Sequence, residues 1–177
     1  VEAPVIRRYY RSSLAGIPDG QHLPVSFPFK GDRMALHLFF PDSDTAGSYP
    51  AEMPGQAGTV IILHGYLSHA LDHAALIRGF LERDYVVVVP ELPGHGLSGG
   101  VRGGIDSFGD YGSFLDTLIE VIGPDIPAPW HIIGHSTGAL SIFEYLRRGN
   151  DPFDAVVFAA PLVRSWMYNP ARLGRFL

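Results

Sequence analysis

Gly134-His135-Ser136-Thr137-Gly138 is the stretch whose residue types and spacing are best suited to chemistry. Its serine stands between glycines two residues away on either side, after the apolar run Trp130–Ile133 and before the helix-forming run Ala139–Glu144. A serine at the tip of a sharp strand-to-helix turn presents its hydroxyl outward, and the crossing of strand and helix leaves room only for small residues at those two flanks. A helix beginning behind Ser136 would aim its free N–H groups and positive dipole end at an oxyanion forming on an attacked carbonyl. The pattern therefore predicts Ser136 as a nucleophile, supported by Gly134, His135 and Gly138.

A tetrahedral oxyanion needs two converging N–H donors. The amide of Thr137, directly after the serine, is one. The second is expected from Leu63-His64-Gly65-Tyr66, at the end of another apolar run. Tyr66 is the donor expected there, because Gly65 lets the main chain turn toward Ser136. His64 reads as a hydrogen-bonding loop residue rather than a proton carrier.

Two other patterns are set aside. Gly94-His95-Gly96-Leu97-Ser98-Gly99 spells a dinucleotide fingerprint, but Pro93 precedes it and Gly99–Gly104 follows where a helix should begin. No cofactor is expected there. His69 and His73 stand four apart, yet the glutamate of H-E-x-x-H and a third ligand are lacking, so no metal is expected.

The elements that must hold these residues follow from hydrophobic rhythm. Val25–Phe29 and Met34–Phe40 alternate around Lys30-Gly31-Asp32, as in an antiparallel hairpin. Residues 4–14 could form a short helix or an arm, and Pro41–Gly58 reads as a surface loop. Thr59–Leu63, Tyr85–Val89, Trp130–Ile133 and Ala155–Ala159 are short apolar runs without alternation, separated by helical patterns over 70–83, 106–122 and 138–148. Buried strands alternating with helices predict an α/β fold, a mostly parallel sheet flanked by helices. In such sheets ligands bind beyond the carboxyl ends of the strands, where both serine turn and His-Gly loop fall.

Composition narrows the classes. The chain has 177 residues, 46% of them hydrophobic, enough for one domain with a real core. Thirteen Lys and Arg against 18 Asp and Glu leave a formal charge of −5, which disfavours a nucleic-acid partner. With no cysteine there is no thiolate nucleophile or disulfide framework. The apolar runs are too short for a transmembrane segment. Val1 in place of methionine suggests a processed or trimmed start, and the localisation is not readable.

Together these residues resemble the α/β-hydrolase superfamily, and within it the monoglyceride lipase and lysophospholipase-like branch. Leu63-His64-Gly65 followed by Ser68-His69 resembles its oxyanion loop. Pro93–Gly103 with Asp106-Ser107-Phe108-Gly109-Asp110-Tyr111 resembles its G-H-G-x-S-x-G-x-R … S-F-x-D-Y stretch, and residues 134–138 its nucleophile elbow, usually G-H-S-M-G. The resemblance covers about residues 25–163. It implies a serine esterase or lipase acting on a small acyl ester of monoacylglycerol or lysophospholipid type. Ser136 would carry the acyl group, the Tyr66 and Thr137 amides would form the oxyanion hole, and no cofactor would be needed.

That superfamily orders its triad as serine, acid, histidine. After Ser136 this sequence has no histidine, and its only acids are Glu144, Asp151 and Asp154. Residues 1–163 are therefore expected to be the N-terminal part of a hydrolase core, and 164–177 to resemble the start of a lid. The triad would then need a C-terminal half or a second polypeptide, and residues 1–177 alone would be inactive and poorly soluble. Two alternatives stay open: a non-catalytic ligand-binding or scaffold protein on this fold, and a rewired site with His64 or His95 as base.

Overall fold

In a computed structural model of the chain, residues 10, 14, 16–18, 21–41 and 56–162 are described. The expected lid segment 164–177, most of the Pro41–Gly58 loop and most of residues 4–14 lie outside them.

The hairpin forms as its alternation requires, with β1 (His22–Phe29) and β2 (Asp32–Phe39) paired from His22↔Phe39 to Phe29↔Asp32. Its turn is the two residues Lys30 and Gly31, both at positive φ (49° and 86°), the geometry that matches the twist of the flanking strands. β1 begins three residues before the alternation starts, because pairing with the long β2 supplies partners for His22–Pro24.

Four further strands complete one sheet: β3 (Gly58–Leu63), β4 (Tyr85–Pro90), β5 (Trp130–His135) and β6 (Ala155–Ala159). The order is β1-β2-β4-β3-β5-β6, with β4, β3, β5 and β6 mutually parallel and β2 antiparallel to β4. Three helices make the crossovers: α1 (Ala74–Leu81), α2 (Gly109–Ile122) and α3 (Thr137–Leu146). The chain moves from β3 to β4 in one direction, then back across β3 to β5 and on to β6. Right-handed crossovers therefore put α1 on one face and α2 and α3 on the other.

The core obeys that division. Val60, Ile62, Val87 and Val89 pack with Ile77 and Leu81 of α1, while Ile61, Leu63, Val86 and Val88 pack with Phe114, Leu118 and Ile142 of α2 and α3. Successive residues of β3 and β4 face opposite layers, so every position must be apolar, which is why these strands show no alternation. β6, expected to be a buried strand, is instead largely exposed, because it lies at the edge of the sheet. Two helix starts differ most from the periodicity. Ala70–His73 is a tighter 3₁₀ turn capped by His69, and α2 starts at Gly109 because Asp106–Phe108 belong to the preceding loop. No helix among the described residues is long and apolar enough to cross a membrane.

Candidate functional site

Reversal of the chain direction across β3 opens a crevice beyond the carboxyl ends of β3 and β5. Ser136 stands in it. Its backbone has φ 51° and ψ −107°, a conformation that a residue with a side chain rarely adopts, and it is the first residue before α3. Three main-chain bonds hold it there: Ser136 N–H donates to the Ala159 carbonyl at 3.0 Å, and the Ser136 carbonyl accepts from Leu140 (3.1 Å) and Leu162 (3.2 Å). The end of β6 thus braces the turn. Ser136 is partly exposed, and among the described residues no side chain bonds to its hydroxyl.

The flanking glycines are required by backbone contact. A Cβ on Gly138 would run into the carbonyl oxygens of Leu63 and His64, and one on Gly134 would lie 2.6 Å from the Ala139 nitrogen. Gly65 faces the serine turn across the crevice, against side chains rather than backbone. A Cβ there would sit 2.8 Å from His135 Nδ1 and 3.4 Å from Ser136 Cβ, so the loop after β3 runs against the serine turn. His135 is exposed on the turn, with its ring 6.4 Å from that of the half-buried His73. Tyr66, next to Gly65, is more than half exposed and packs edge-on to His95, with ring centroids 5.6 Å apart. Thr137 is buried at the start of α3 and its carbonyl accepts from Ser141 Oγ at 2.9 Å.

His64 is fully buried and both its ring nitrogens are engaged. Nδ1–H donates to the Gly65 carbonyl at 2.8 Å and Nε2 accepts from the Leu92 amide at 3.0 Å, which fixes one neutral tautomer. Burial pushes its pKa from 6.5 down to about 4, outweighing the Gly65 bond, and His95 nearby adds to the lowering. Such a group is a strut between two loops and has no free nitrogen with which to take a proton from Ser136. The unfolded chain would bind a proton near pH 6.5 where the folded chain does not, so stability falls as pH drops from about 6.5 towards 4, by about 3 kcal/mol from this residue. Replacing His64 by glutamine, which can also donate and accept, should reduce the pH slope of denaturant stability in that window by about one proton. An unchanged slope would show that His64 titrates normally.

His95 donates from Nδ1 to the Pro93 carbonyl at 2.9 Å and buries Nε2. Gly94, Gly96, Gly100 and Gly103 around it all take positive φ, and no helix starts before Gly109. The G-x-G-x-x-G stretch is a chain of turns, unlike a dinucleotide fingerprint. His69 caps its 3₁₀ turn, accepting from Leu71 and pairing with Asp72 at 3.3 Å. No group of three metal-ligating side chains gathers among the described residues.

The acids after Ser136 are placed away from it. Asp154 accepts from the Trp130 amide (2.9 Å) at the amino end of β5, the opposite edge of the sheet, and Asp151 precedes it in the same loop. Glu144 pairs with Arg147 at 2.7 Å on α3. Two surface clefts, of about 160 and 450 Å³, lie against the β1–β2 hairpin and include none of Ser136, Tyr66 or Thr137.

Glu91 escaped the pattern-based reading. It is wholly buried directly after β4, receiving hydrogen bonds from Tyr10 Oη and the Leu97 amide. Burial alone would raise its pKa, but His37 beside it, Tyr10 and Leu97 more than offset this and hold the carboxyl below its usual range. The signal was a carboxylate placed immediately after the apolar run Val86-Val87-Val88-Val89-Pro90.

The family model for serine aminopeptidases of the S33 type matches residues 55–177, more than half of the chain. The chain belongs to the S33 family. This S33 member is 27% identical over 136 residues to a monoacylglycerol lipase of Mycolicibacterium smegmatis, covering 76% of this chain and 45% of that protein. It is also 27% identical over 115 residues to the phospholipase YtpA of Bacillus subtilis, covering 64% and 43% respectively. It therefore spans less than half the length of both relatives, and its likeness to them supports the lipase-like branch of the α/β-hydrolase superfamily. Among solved structures it superposes on a thermostable carboxyl esterase from Bacillus coagulans with TM-score 0.63 and 21% identity, over 78% of this chain and 44% of that one. The fold is that of the α/β-hydrolases.

Proposed function

We propose that this S33 chain carries the nucleophile of a serine hydrolase for carboxylic esters of monoacylglycerol or lysophospholipid type. The observation that carries the reading is Ser136 held at φ 51° and ψ −107° between β5 and α3, against Gly65. Ser136 Oγ attacks the ester carbonyl, and the amides of Tyr66 and Thr137 take the oxyanion. The serine proton passes through a histidine to the departing alcohol as the ester C–O bond breaks, leaving the acyl group on Oγ. Water, deprotonated by the same histidine, then frees the acid and restores the hydroxyl. No cofactor enters.

That histidine and its acid are proposed to come from polypeptide outside this sequence. Residues 137–177 contain no histidine, His64 has both nitrogens bonded, and the acids of the loop before β6 lie at the far edge of the sheet. Residues 1–177 alone are accordingly expected to be inactive. The ester preference is supported by the lipase and phospholipase relatives.

A fluorophosphonate probe applied to the complete gene product should label a single peptide, at Ser136. Excess monoacylglycerol or lysophosphatidylcholine should protect it better than an aminoacyl anilide. No labelling would leave a ligand-binding protein on a hydrolase fold, and labelling elsewhere would move the nucleophile to another residue. Protection by the anilide alone would move the substrate class to peptides.

A further inference from the structure

Glu91 sits where β4 passes into the turns that face the serine, and its carboxylate organises them. One oxygen takes the hydroxyl of Tyr10 and lies 3.4 Å from His37 Nε2, and the other takes the Leu97 amide. His37 is in turn bonded to His22, 2.9 Å from Nδ1 to Nε2. The loop wraps so closely that a Cβ on Gly96 would fall onto the carboxylate. Ser98 closes the wrap, donating to the Glu91 carbonyl at 2.6 Å and accepting from the Ala35 amide at 2.9 Å.

The next residue carries this order across the crevice. Leu92 N–H donates to His64 Nε2, His64 Nδ1–H donates to the Gly65 carbonyl, and Gly65 lies against Ser136. Tyr10 reaches the same region from the N-terminal segment, its ring 5.4 Å from His37 and 5.1 Å from His69, three residues after Tyr66. A phenylalanine would fill that apolar site as well. The hydroxyl matters because a carboxylate cut off from water needs every donor it can reach. Loops between elements are otherwise the most mobile parts of a fold, and oxyanion donors misplaced by about 1 Å lose much of their effect.

We infer that Tyr10 and Glu91 are positioning residues for the main chain at Gly65–Tyr66, acting through the loop after β4 and the His64 strut. The structural claim stands on the bonds above, and its consequence for rate rests on the proposed role of Ser136.

Tyr10→Phe and Glu91→Gln in the complete protein test it, by amide hydrogen exchange and by the kinetics of ester turnover. Exchange at Leu92, Leu97 and Ser68, whose amides bond to His64, Glu91 and the Gly65 carbonyl, should accelerate by about tenfold in Glu91→Gln and about threefold in Tyr10→Phe, with Ile61 in β3 unchanged. Turnover should fall in the same order, about tenfold for Glu91→Gln, through kcat with KM little altered. Unchanged exchange at Ser68 in both variants overturns the inference, as does faster exchange with undiminished kcat. Should Glu91→Gln fail to fold, Tyr10→Phe alone decides by the same two readings. A wild-type protein without labelling at Ser136 would sink the hydrolase reading, while the exchange measurement would still decide the clasp.

Discussion

Replacing Ser136 by glycine is expected to abolish ester turnover by the complete protein and, at the same time, to make it more stable. Turnover should drop by about 10⁴-fold or more, since removal of a nucleophile leaves only the oxyanion donors and substrate binding. The gain in stability comes from the backbone. At φ 51° and ψ −107° a side chain costs about 1–3 kcal/mol, which glycine does not incur. Glycine loses about 0.5–1 kcal/mol to its extra freedom in the unfolded chain, so a net gain of about 1 kcal/mol remains. Ser136→Ala should lose turnover equally without that gain, and the difference in denaturation midpoint between the two variants isolates the strain. A glycine variant less stable than the alanine variant would show a relaxed turn; one that still turns over ester would show that another group is the nucleophile.

Gly138→Ala should be the most damaging small change in the chain. The added methyl meets the carbonyl oxygen of Leu63 and comes within 2.7 Å of the His64 carbonyl oxygen, and no rotamer can relieve a clash between backbone and Cβ. The start of α3 would have to lift off the end of β3, exposing Ala139 and Ile142, both now fully buried. A loss of at least about 3 kcal/mol is expected. Lifting the helix also moves the Thr137 amide from beside Ser136, so fluorophosphonate labelling of whatever fraction folds should slow by about a hundredfold. Measured melting and labelling rates equal to wild type would mean that α3 is seated less tightly on β3 than its contacts indicate.

Both effects follow from features visible in the linear chain. Gly134, Gly138 and Gly65 are each conspicuous at their spacing from Ser136 or from the end of an apolar run. The physical reason is short range: one strand, one turn and one helix are enough to demand a small residue at those places. The parallel sheet was legible on the same basis, because residues buried on both faces leave apolar runs such as Val86–Val89 without alternation. The two-residue Lys30-Gly31 turn was legible only within a residue, since pairing across the hairpin rather than the local pattern sets its length.

Other features depend on residues brought together from distant parts of the chain. Tyr10 and Glu91 are 81 positions apart, and His64 and Leu92 are 28 apart. Their types alone would suit a surface loop as well as a buried clasp. Asp151 and Asp154 follow the serine in sequence as a triad acid would, yet a parallel crossover returns the chain to the amino edge of the sheet before β6 begins, far from Ser136. Sequence by itself determined the sheet type, the serine turn and the glycines it requires, because those are set by neighbours within a few residues. Tertiary structure decided the strand order, the neutral strut at His64 and the buried carboxylate, because burial and hydrogen-bond partners exist only once the crossovers have closed.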